Sequence, residues 1–159
     1  MDALLEMLQK DARLSTSKIA ERLGKSEAEV EDLLSAALED GTILGFHAVV
    51  DPDKVGEHSV AAFIEVKLTP EREGGFDRLA RRIAGFSQVS SCYLMSGGYD
   101  LAVIVEGPDL REVARFVSEK LSTLEGVLST ATHFQLKVYK QSGFLSSDHH
   151  ESERLPVTP

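Results

Sequence analysis

Apolar residues recur at helical spacing in three separate runs within the first 45 residues of the chain. Gly24 and Lys25 interrupt the pattern between the second and third runs, and Gly41 follows the third. Ser26 and Glu29 open the third run with the spacing of a capping box, in which each side chain caps the backbone N–H of the other residue. The pattern therefore predicts three short helices with a tight turn between the last two. The apolar positions are Leu4, Leu5, Leu8, Ile19, Leu23, Val30, Leu33, Leu34, Ala37 and Leu38.

From residue 59 onward the chain alternates between strand-like and helix-like runs. In SVAAFIEVKL, residues 59–68, every second side chain is apolar, which is the period of a strand with one buried face. The order strand–helix–strand–strand–helix–strand is that of a ferredoxin-like domain, so the predicted fold class is α+β. The predicted strands are 59–68, 88–95, 99–106 and about 127–139, and the predicted helices are 74–84 and the run that opens at Pro108.

The remaining segments connect or follow these two patterned regions. Residues 42–52, TILGFHAVVDP, are rich in β-branched and aromatic residues, which predicts a strand that stops at Asp51-Pro52. Residues 53–58 predict a hinge, and loss of pattern from residue 141 predicts a flexible tail. The predicted division is a three-helix winged head at 1–45, a linker strand and hinge at 46–58, a ferredoxin-like body at 59–140 and a tail at 141–159.

The third predicted strand of the body is apolar on both of its faces. Residues 101–105 read Leu-Ala-Val-Ile-Val, a run typical of a strand that is buried on both sides. The two predicted helices cover one face of the sheet, and no other segment is left to cover the second. The sequence therefore predicts a partner sheet from a second copy, and so a homodimer. The alternative is a sheet that stays partly exposed.

Composition limits the classes of partner and compartment. The chain has 159 residues and a net charge of −9, which opposes non-specific binding to nucleic acid or anionic lipid. Five basic and ten acidic residues give the head alone a net charge of −5. Cys92 is the only cysteine, so no intrachain disulfide forms, and the N-terminus has no basic segment followed by a long apolar run. We expect a cytoplasmic protein without a signal peptide or a membrane span.

Three ordered motifs resemble the Lrp/AsnC family of leucine-responsive and asparagine-operon regulators. KDARLSTSKIAERLGKSEAEV is similar to the family's helix-turn-helix entry, and LEDGTILGFHAVVDP is similar to its helix end, wing strand and linker. SGGYDLAVIVEG is similar to the Gly-Tyr-Asp signature of its ligand-sensing RAM domain. The resemblance implies a winged helix-turn-helix transcription regulator that binds double-stranded DNA. It also implies dimers, commonly octamers, that form through the RAM body and bind an amino acid or a related small molecule between RAM domains.

The third predicted helix is unusual for a DNA-binding head, because it is acidic and carries no Lys or Arg. Recognition helices read bases mainly through their N-terminal residues, so charges at the far end matter less. Lys18, Arg22 and Lys25 can contact phosphates, and Glu27 can accept a hydrogen bond from cytosine N4. The alternative is an oligomeric ligand-binding protein whose acidic head contacts protein rather than DNA. The candidate DNA-binding residues are Arg13, Ser15, Ser17, Lys18, Arg22, Lys25, Ser26 and Glu27.

The motif SGGYD, residues 96–100, is the candidate effector site. Its two glycines allow positive φ angles and leave backbone amides open to a ligand carboxylate, and Asp100 can pair with a ligand ammonium. A plain hairpin turn with an ordinary turn aspartate explains the same residues, but the family resemblance favours an amino-acid site. Thr130 and Thr132 of the last strand are candidates to line the same pocket. The candidate effector-binding residues are Ser96, Gly97, Gly98, Tyr99, Asp100, Thr130 and Thr132.

Catalytic and metal-binding patterns are absent from the sequence. The five histidines have no ligand spacing with cysteines or carboxylates, and no Walker loop, nucleophile elbow or H-E-x-x-H motif occurs. Cys92 lies within a predicted strand and fits a small core residue. Decarboxylases that act on sirohaem resemble the same two-part architecture, and His133 is the only histidine on a body strand that such an enzyme would have. We expect no enzyme activity, no cofactor and no metal.

Overall fold

The computed structural model describes residues 3–55, 59–70 and 75–146 of the chain. The chain forms two compact units, Met1–Ala48 and Val49–Pro159. Within the described ranges, no helix combines the length and the apolar content needed to cross a membrane.

The first unit is built on three helices, as their apolar spacing predicted. Its core is small, because only Leu4, Ile19, Ala20 and Val30 of its described residues are fully buried, with larger apolar side chains around them. Burying one large aliphatic side chain contributes about 1.5–3 kcal/mol. Since each helix supplies at least one of these residues, the shared core holds the three short helices together. The helices are α1 (Ala3–Lys10), α2 (Thr16–Leu23) and α3 (Glu27–Glu39).

The turn between α2 and α3 is defined by one glycine and one capping box. Gly24 has a left-handed φ of 64°, a conformation that glycine adopts without strain. The predicted capping box is confirmed: Glu29 N–H donates to Ser26 Oγ at 3.3 Å, and Ser26 N–H donates to Glu29 Oε2 at 2.8 Å. Hydrogen bonds from the Ser26 backbone and hydroxyl, together with the charge of Lys25, hold the pKa of Glu29 below its ordinary value.

The predicted strand at 42–52, which includes the wing of the head, is absent from the single chain, so this prediction is wrong here. Pro52–Val55 form one helical turn, α4, where a hinge was expected, and residues 56–58 lie outside the described part. A strand needs a second backbone beside it, and none of the described residues pairs with this segment. Its large apolar side chains are therefore exposed, with Leu44 at 96% and Phe46 at 52%.

The second unit has the predicted order of strands and helices and contains a four-stranded antiparallel sheet. The strands lie in the order β2–β3–β1–β4, so β1 and β3 are central. The last helix, α6, continues into a π-helical segment at Phe116–Leu121. The elements are β1 (Val60–Leu68), α5 (Asp77–Ala84), β2 (Val89–Leu94), β3 (Leu101–Gly107), α6 (Leu110–Arg115) and β4 (Val127–Phe134).

The helices cover one face of the sheet, and this side forms the core of the unit. On β1 the alternate residues Ala62, Ile64, Val66 and Leu68 are buried there, as the period of two predicted. Both helical segments contribute to the same cluster, which makes it continuous from α5 to the π-helical segment. The other buried members are Leu79, Ile83, Leu101, Val103, Val105, Val113, Phe116, Val117, Leu121 and Leu124.

The opposite face of the sheet, here called the open face, has no helix over it among the described residues, because α5 and α6 both pack on the other side. Phe63 of β1 lies in its middle, and the ring centroids of Tyr99 and His133 are each 5.9 Å from that of Phe63. His133 Nε2 lies 3.3 Å from Glu65 Oε1. Tyr93 of the edge strand β2 is exposed. The open face is therefore a mixture of aromatic and charged side chains rather than a uniformly polar surface.

Strand β4 ends earlier than predicted, at Phe134, because this residue already lies opposite Ala62 near the start of β1. Two short strands then form a hairpin in residues that were expected to begin a flexible tail. The hairpin and residues 49–52 line a small, mostly apolar cleft. Residues 147–159, the rest of the predicted tail, lie outside the described residues. The hairpin strands are β5 (Lys140–Gln141) and β6 (Phe144–Leu145).

Replacing Gly126 by alanine is expected to destabilise the second unit. Gly126 has a φ of 94°, and a Cβ at this position would lie 2.9 Å from Leu79 Cδ2 in the core. Gly126→Ala should lower the free energy of unfolding by about 1–3 kcal/mol, because the backbone angle and the contact both oppose a side chain. Urea denaturation at fixed protein concentration measures the change. Gly98→Ala is the control, since a Cβ there meets none of the described atoms within 4 Å; equal losses in both variants would contradict the prediction.

Candidate nucleic-acid interface and effector site

All eight candidate DNA-binding residues are exposed in the first unit. Lys18 and Arg22 lie one helical turn apart on α2, so their side chains share one face of that helix. Lys25 follows in the turn that leads into α3. The three cations therefore lie along α2 and its exit, a position from which they can reach successive phosphates of a strand.

The two serines that precede the helices are already engaged in caps. Ser15 Oγ accepts from Lys18 N–H at 3.3 Å, and Ser26 Oγ both accepts from Glu29 N–H and donates to Glu29 Oε2. A hydroxyl used in this way keeps the first turn of its helix in place. Ser17 stands within the first turn of α2, and its side chain is exposed.

The acidic residues of α3 are spread over its whole length. A helix rises about 1.5 Å per residue, so Glu39 lies roughly 18 Å along the axis from Glu27. The Debye length at physiological salt is about 8 Å, which largely screens the far charges from the first turn. Asp40 has a local role, because hydrogen bonds from the Thr42 side chain and backbone lower the pKa of its carboxyl. The charges that act most directly on the first turn of α3 are therefore those of its first two turns.

The effector motif forms the loop between β2 and β3. Ser96, Gly97 and Gly98 are exposed at the tip. The prediction that both glycines have positive φ angles is wrong for one of them: Gly97 has a φ of 140°, whereas Gly98 is not among the positive-φ glycines. The loop closes where Met95 N–H donates to the Asp100 carbonyl at 2.8 Å. It thus presents exposed backbone on a base fixed by the hairpin.

Asp100 has a structural role that sequence reasoning missed. Its Oδ2 accepts from Leu68 N–H at 2.7 Å, and its own N–H donates to the Val66 carbonyl at 2.9 Å. Both bonds cross from the start of β3 to the end of β1, so Asp100 braces the two central strands. An aspartate beside two glycines gives no sequence signal for such a contact, because the partner lies 32 residues away. Any role of Asp100 toward a ligand coexists with this brace.

The two threonines of β4 face the helix side of the sheet. Thr130 lies opposite Val66 and Thr132 opposite Ile64, whose side chains point into the core. Thr130 Oγ1 lies 3.0 Å from Ser122 Oγ, at the end of the π-helical segment. Tyr99, by contrast, contacts Phe63 on the open face. The single chain therefore does not gather the candidate effector residues into one pocket, and they lie on both sides of the same sheet end.

The residues considered for metal or enzyme chemistry have ordinary surroundings. Within the described residues, no group of three or more His, Cys, Asp or Glu is arranged to hold a metal ion. Burial raises the pKa of Cys92, whose thiol points to the Ala80 carbonyl, so it stays protonated at neutral pH. His133, the residue a sirohaem decarboxylase would use, lies on the open face beside Glu65 and Phe63.

The brace predicts different effects for two substitutions of Asp100. Asp100→Ala removes the acceptor of Leu68 N–H and should lower the free energy of unfolding by about 1–3 kcal/mol. Asp100→Asn keeps a side-chain oxygen in the same place and should lose clearly less. Urea denaturation of both variants and the wild type at equal concentration gives the comparison. An alanine variant as stable as the wild type would show that the brace contributes nothing.

Two family descriptions match the chain. Residues 61–145 match the Lrp/AsnC ligand binding domain, and residues 2–32 match the AsnC-type helix-turn-helix domain. The first match covers the sheet, its helices and the hairpin, and the second covers α1, α2 and the first part of α3.

Similar proteins match along most of the chain. It is 43% identical over 157 residues to the HTH-type transcriptional regulator YugG of Bacillus subtilis, covering 98% of this chain and 95% of that one. It is 32% identical over 140 residues to the proline dehydrogenase transcriptional activator of Rhizobium radiobacter, covering 88% and 89%. The structure of a Neisseria meningitidis transcriptional regulator complexed with L-Met has the same fold, with a TM-score of 0.66 at 23% identity, covering 89% and 93%.

The predicted resemblance and fold are thus confirmed at the level of the family. The helix-turn-helix and the ligand-binding body are both present, and the relatives just named are transcription regulators rather than enzymes. The chain belongs to the Lrp/AsnC family and is a DNA-binding transcription regulator of that type, not an enzyme.

Proposed function

We propose that the head binds double-stranded DNA through phosphate contacts from Lys18, Arg22 and Lys25. The observation that carries this proposal is the exposure of these three cations along α2 and its turn. Phosphate neutralisation supplies most of the sequence-independent affinity of DNA-binding proteins. Arg13, which precedes α2, adds a fourth exposed cation within the same sequence motif.

In this proposal, the residues that recognise DNA bases lie in the first turn of α3. Glu27 is exposed there and accepts a hydrogen bond from cytosine N4 in the major groove. Ser15, Ser17 and Ser26 lie at the helix starts, where hydroxyls and backbone N–H groups contact phosphate oxygens. With a net charge of −5 in the head, each head binds weakly, and several heads in one assembly raise the effective concentration at the DNA.

The assembly we propose is a homodimer formed through the body, with an octamer as the larger alternative. Two observations support it. The open face carries Phe63, Tyr93 and Tyr99, which a second sheet would remove from water. Leu44 and Phe46 are exposed in a segment whose composition favours a strand but whose backbone pairs with none of the described residues of the single chain. A regulator of this kind works in the cytoplasm, in contact with the DNA that it regulates.

Neutralising the proposed phosphate clamp should weaken DNA binding. The triple variant Lys18→Gln, Arg22→Gln, Lys25→Gln should lose at least about tenfold in affinity, and its plot of log affinity against log salt should become flatter by about one for each phosphate contact removed. Fluorescence anisotropy with a labelled duplex from upstream of the coding sequence measures both. Lys10→Gln, an exposed cation at the end of α1, is the matched control. Unchanged affinity in the triple variant would show that these three cations do not bind phosphate.

The effector we propose is an α-amino acid bound at the loop of residues 96–100, between bodies of neighbouring copies. The exposed amides of Gly97 and Gly98 suit a carboxylate, and the Asp100 oxygen that does not hold Leu68 N–H suits an ammonium group. The Neisseria regulator of the same fold is an L-Met complex, which supports the ligand class. Tyr99 and the threonines Thr130 and Thr132 approach the same end of the sheet from opposite faces, so they complete a site only together with a second copy.

Asp100→Asn should weaken amino-acid binding while the protein stays folded. The variant keeps an acceptor for Leu68 N–H but loses the charge that attracts the ammonium, so at least about a tenfold loss is expected, near 1.4 kcal/mol. Isothermal titration against a panel of natural amino acids, with urea denaturation as the folding check, separates the two effects. Asp77→Asn, which neutralises an exposed aspartate outside the loop of residues 96–100, should bind like the wild type. Wild-type affinity in Asp100→Asn would exclude the ammonium contact.

A further inference from the structure

We propose that the outer surface of the helical layer, centred on Arg81 and Arg82 of α5, is a second phosphate-binding surface that takes DNA extending beyond the site of the head. This inference rests on the proposed DNA binding by the head. It assigns a role in binding to a part of the body that neither the effector site nor the open face uses.

The sequence of α5, DRLARRIA, divides sharply between its two sides. Leu79 and Ile83 are buried in the core, whereas Arg78, Arg81 and Arg82 are all exposed. These arginines have the spacing i, i+3 and i+4, so they form one stripe on the outer face of the helix. The stripe points away from the sheet because the opposite side of α5 packs on it.

The neighbouring helical segments extend this surface. Arg111, Arg115 and Lys120 are exposed on α6 and the π-helical segment. Together the three helical segments carry six basic residues and only three acidic ones, Asp77, Glu112 and Glu119. The layer therefore has a net charge of +3 on a chain whose net charge is −9. Such a local excess of one sign concentrates an oppositely charged partner at that surface.

Within the part of the chain that the structure describes, the two central cations of the surface are not used in ion pairs that hold the fold together. Arg115 pairs with Glu112 at 3.0 Å, whereas Arg81 and Arg82 form no ion pair with any carboxylate of the described residues. With respect to the described residues, the guanidinium groups of Arg81 and Arg82 are thus available for a partner. Guanidinium is planar and binds phosphate through two parallel hydrogen bonds, which an ammonium group does not.

DNA is the partner that these observations favour over an acidic protein. The phosphates of one DNA strand recur about every 3.4 Å along the duplex, so the adjacent guanidinium groups of Arg81 and Arg82 meet a continuous row of phosphate acceptors. The head of the same chain has five basic residues and ten acidic ones, so phosphate contacts elsewhere in the chain would raise its affinity for DNA. Each copy in an assembly adds one such surface, and the contributions multiply on one long duplex.

The test compares three double variants with the wild type on a duplex that spans several helical turns. Arg81→Gln with Arg82→Gln removes the two charges, Arg81→Lys with Arg82→Lys keeps them, and Lys54→Gln with Lys140→Gln removes two exposed charges elsewhere in the same unit. Affinity is measured by anisotropy over a series of salt concentrations. Circular dichroism and sedimentation check that fold and assembly are unchanged.

The glutamine variant should lose at least about tenfold in affinity, and its salt slope should fall by about two per protomer on the DNA. The lysine variant should keep most of the slope, and the Lys54 and Lys140 control should match the wild type. A glutamine variant with wild-type affinity and slope overturns the inference and leaves the surface to solvent or to an acidic protein. The head variant separates the two claims: if neutralising Lys18, Arg22 and Lys25 leaves the affinity unchanged, the phosphate contacts proposed for the head are wrong, whatever the result for Arg81 and Arg82.

Discussion

The pairing of β1 with a strand on each side is the interaction on which the body depends. Side chains alternate along β1, so Ile64 and Val66 lie on the face that packs against the helices, and Phe63 lies on the open face. The end of β1 is held by the Asp100 brace, which also fixes the base of the loop at residues 96–100. The core, the open face and the loop of residues 96–100 are therefore all positioned by one strand and its register.

Charge is the second constraint, because a net charge of −5 in the head opposes phosphate binding. The acidic residues of α3 stabilise the helix start through the Glu29 cap and shape its end through Asp40, so part of the negative charge serves local structure. The cations available for phosphate contacts lie on α2, in the turn between α2 and α3 and, in our proposal, on α5. In our proposal, assembly multiplies the phosphate contacts, and a small molecule that shifts the assembly changes the affinity for DNA.

The sequence predicted most of the fold because periodicity reports burial directly. The apolar stripes that include Leu4 of α1 and Ile19 of α2, and the alternation through Ile64 of β1, each mark the side of an element that is buried in the core. The segment at 42–52 was predicted wrongly for the single chain because a strand also needs a neighbouring backbone, which composition does not supply. The candidate effector site was harder to predict from the sequence than the fold. The position of Thr130 depends on the register of β4, and the brace of Asp100 depends on a contact distant in sequence, so neither has a local signal.

The most direct test of DNA binding by this chain is the affinity of the unmodified protein for duplex DNA from upstream of its own coding sequence. Anisotropy would be recorded at low and at physiological salt, with and without amino acids, beside a scrambled duplex of equal length. We expect preferential binding to the upstream duplex that weakens as salt rises, because phosphate contacts contribute much of the affinity. Absence of binding to either duplex at low salt, with every amino acid tested, would contradict DNA binding by the head and favour the alternative in which the acidic α3 contacts protein.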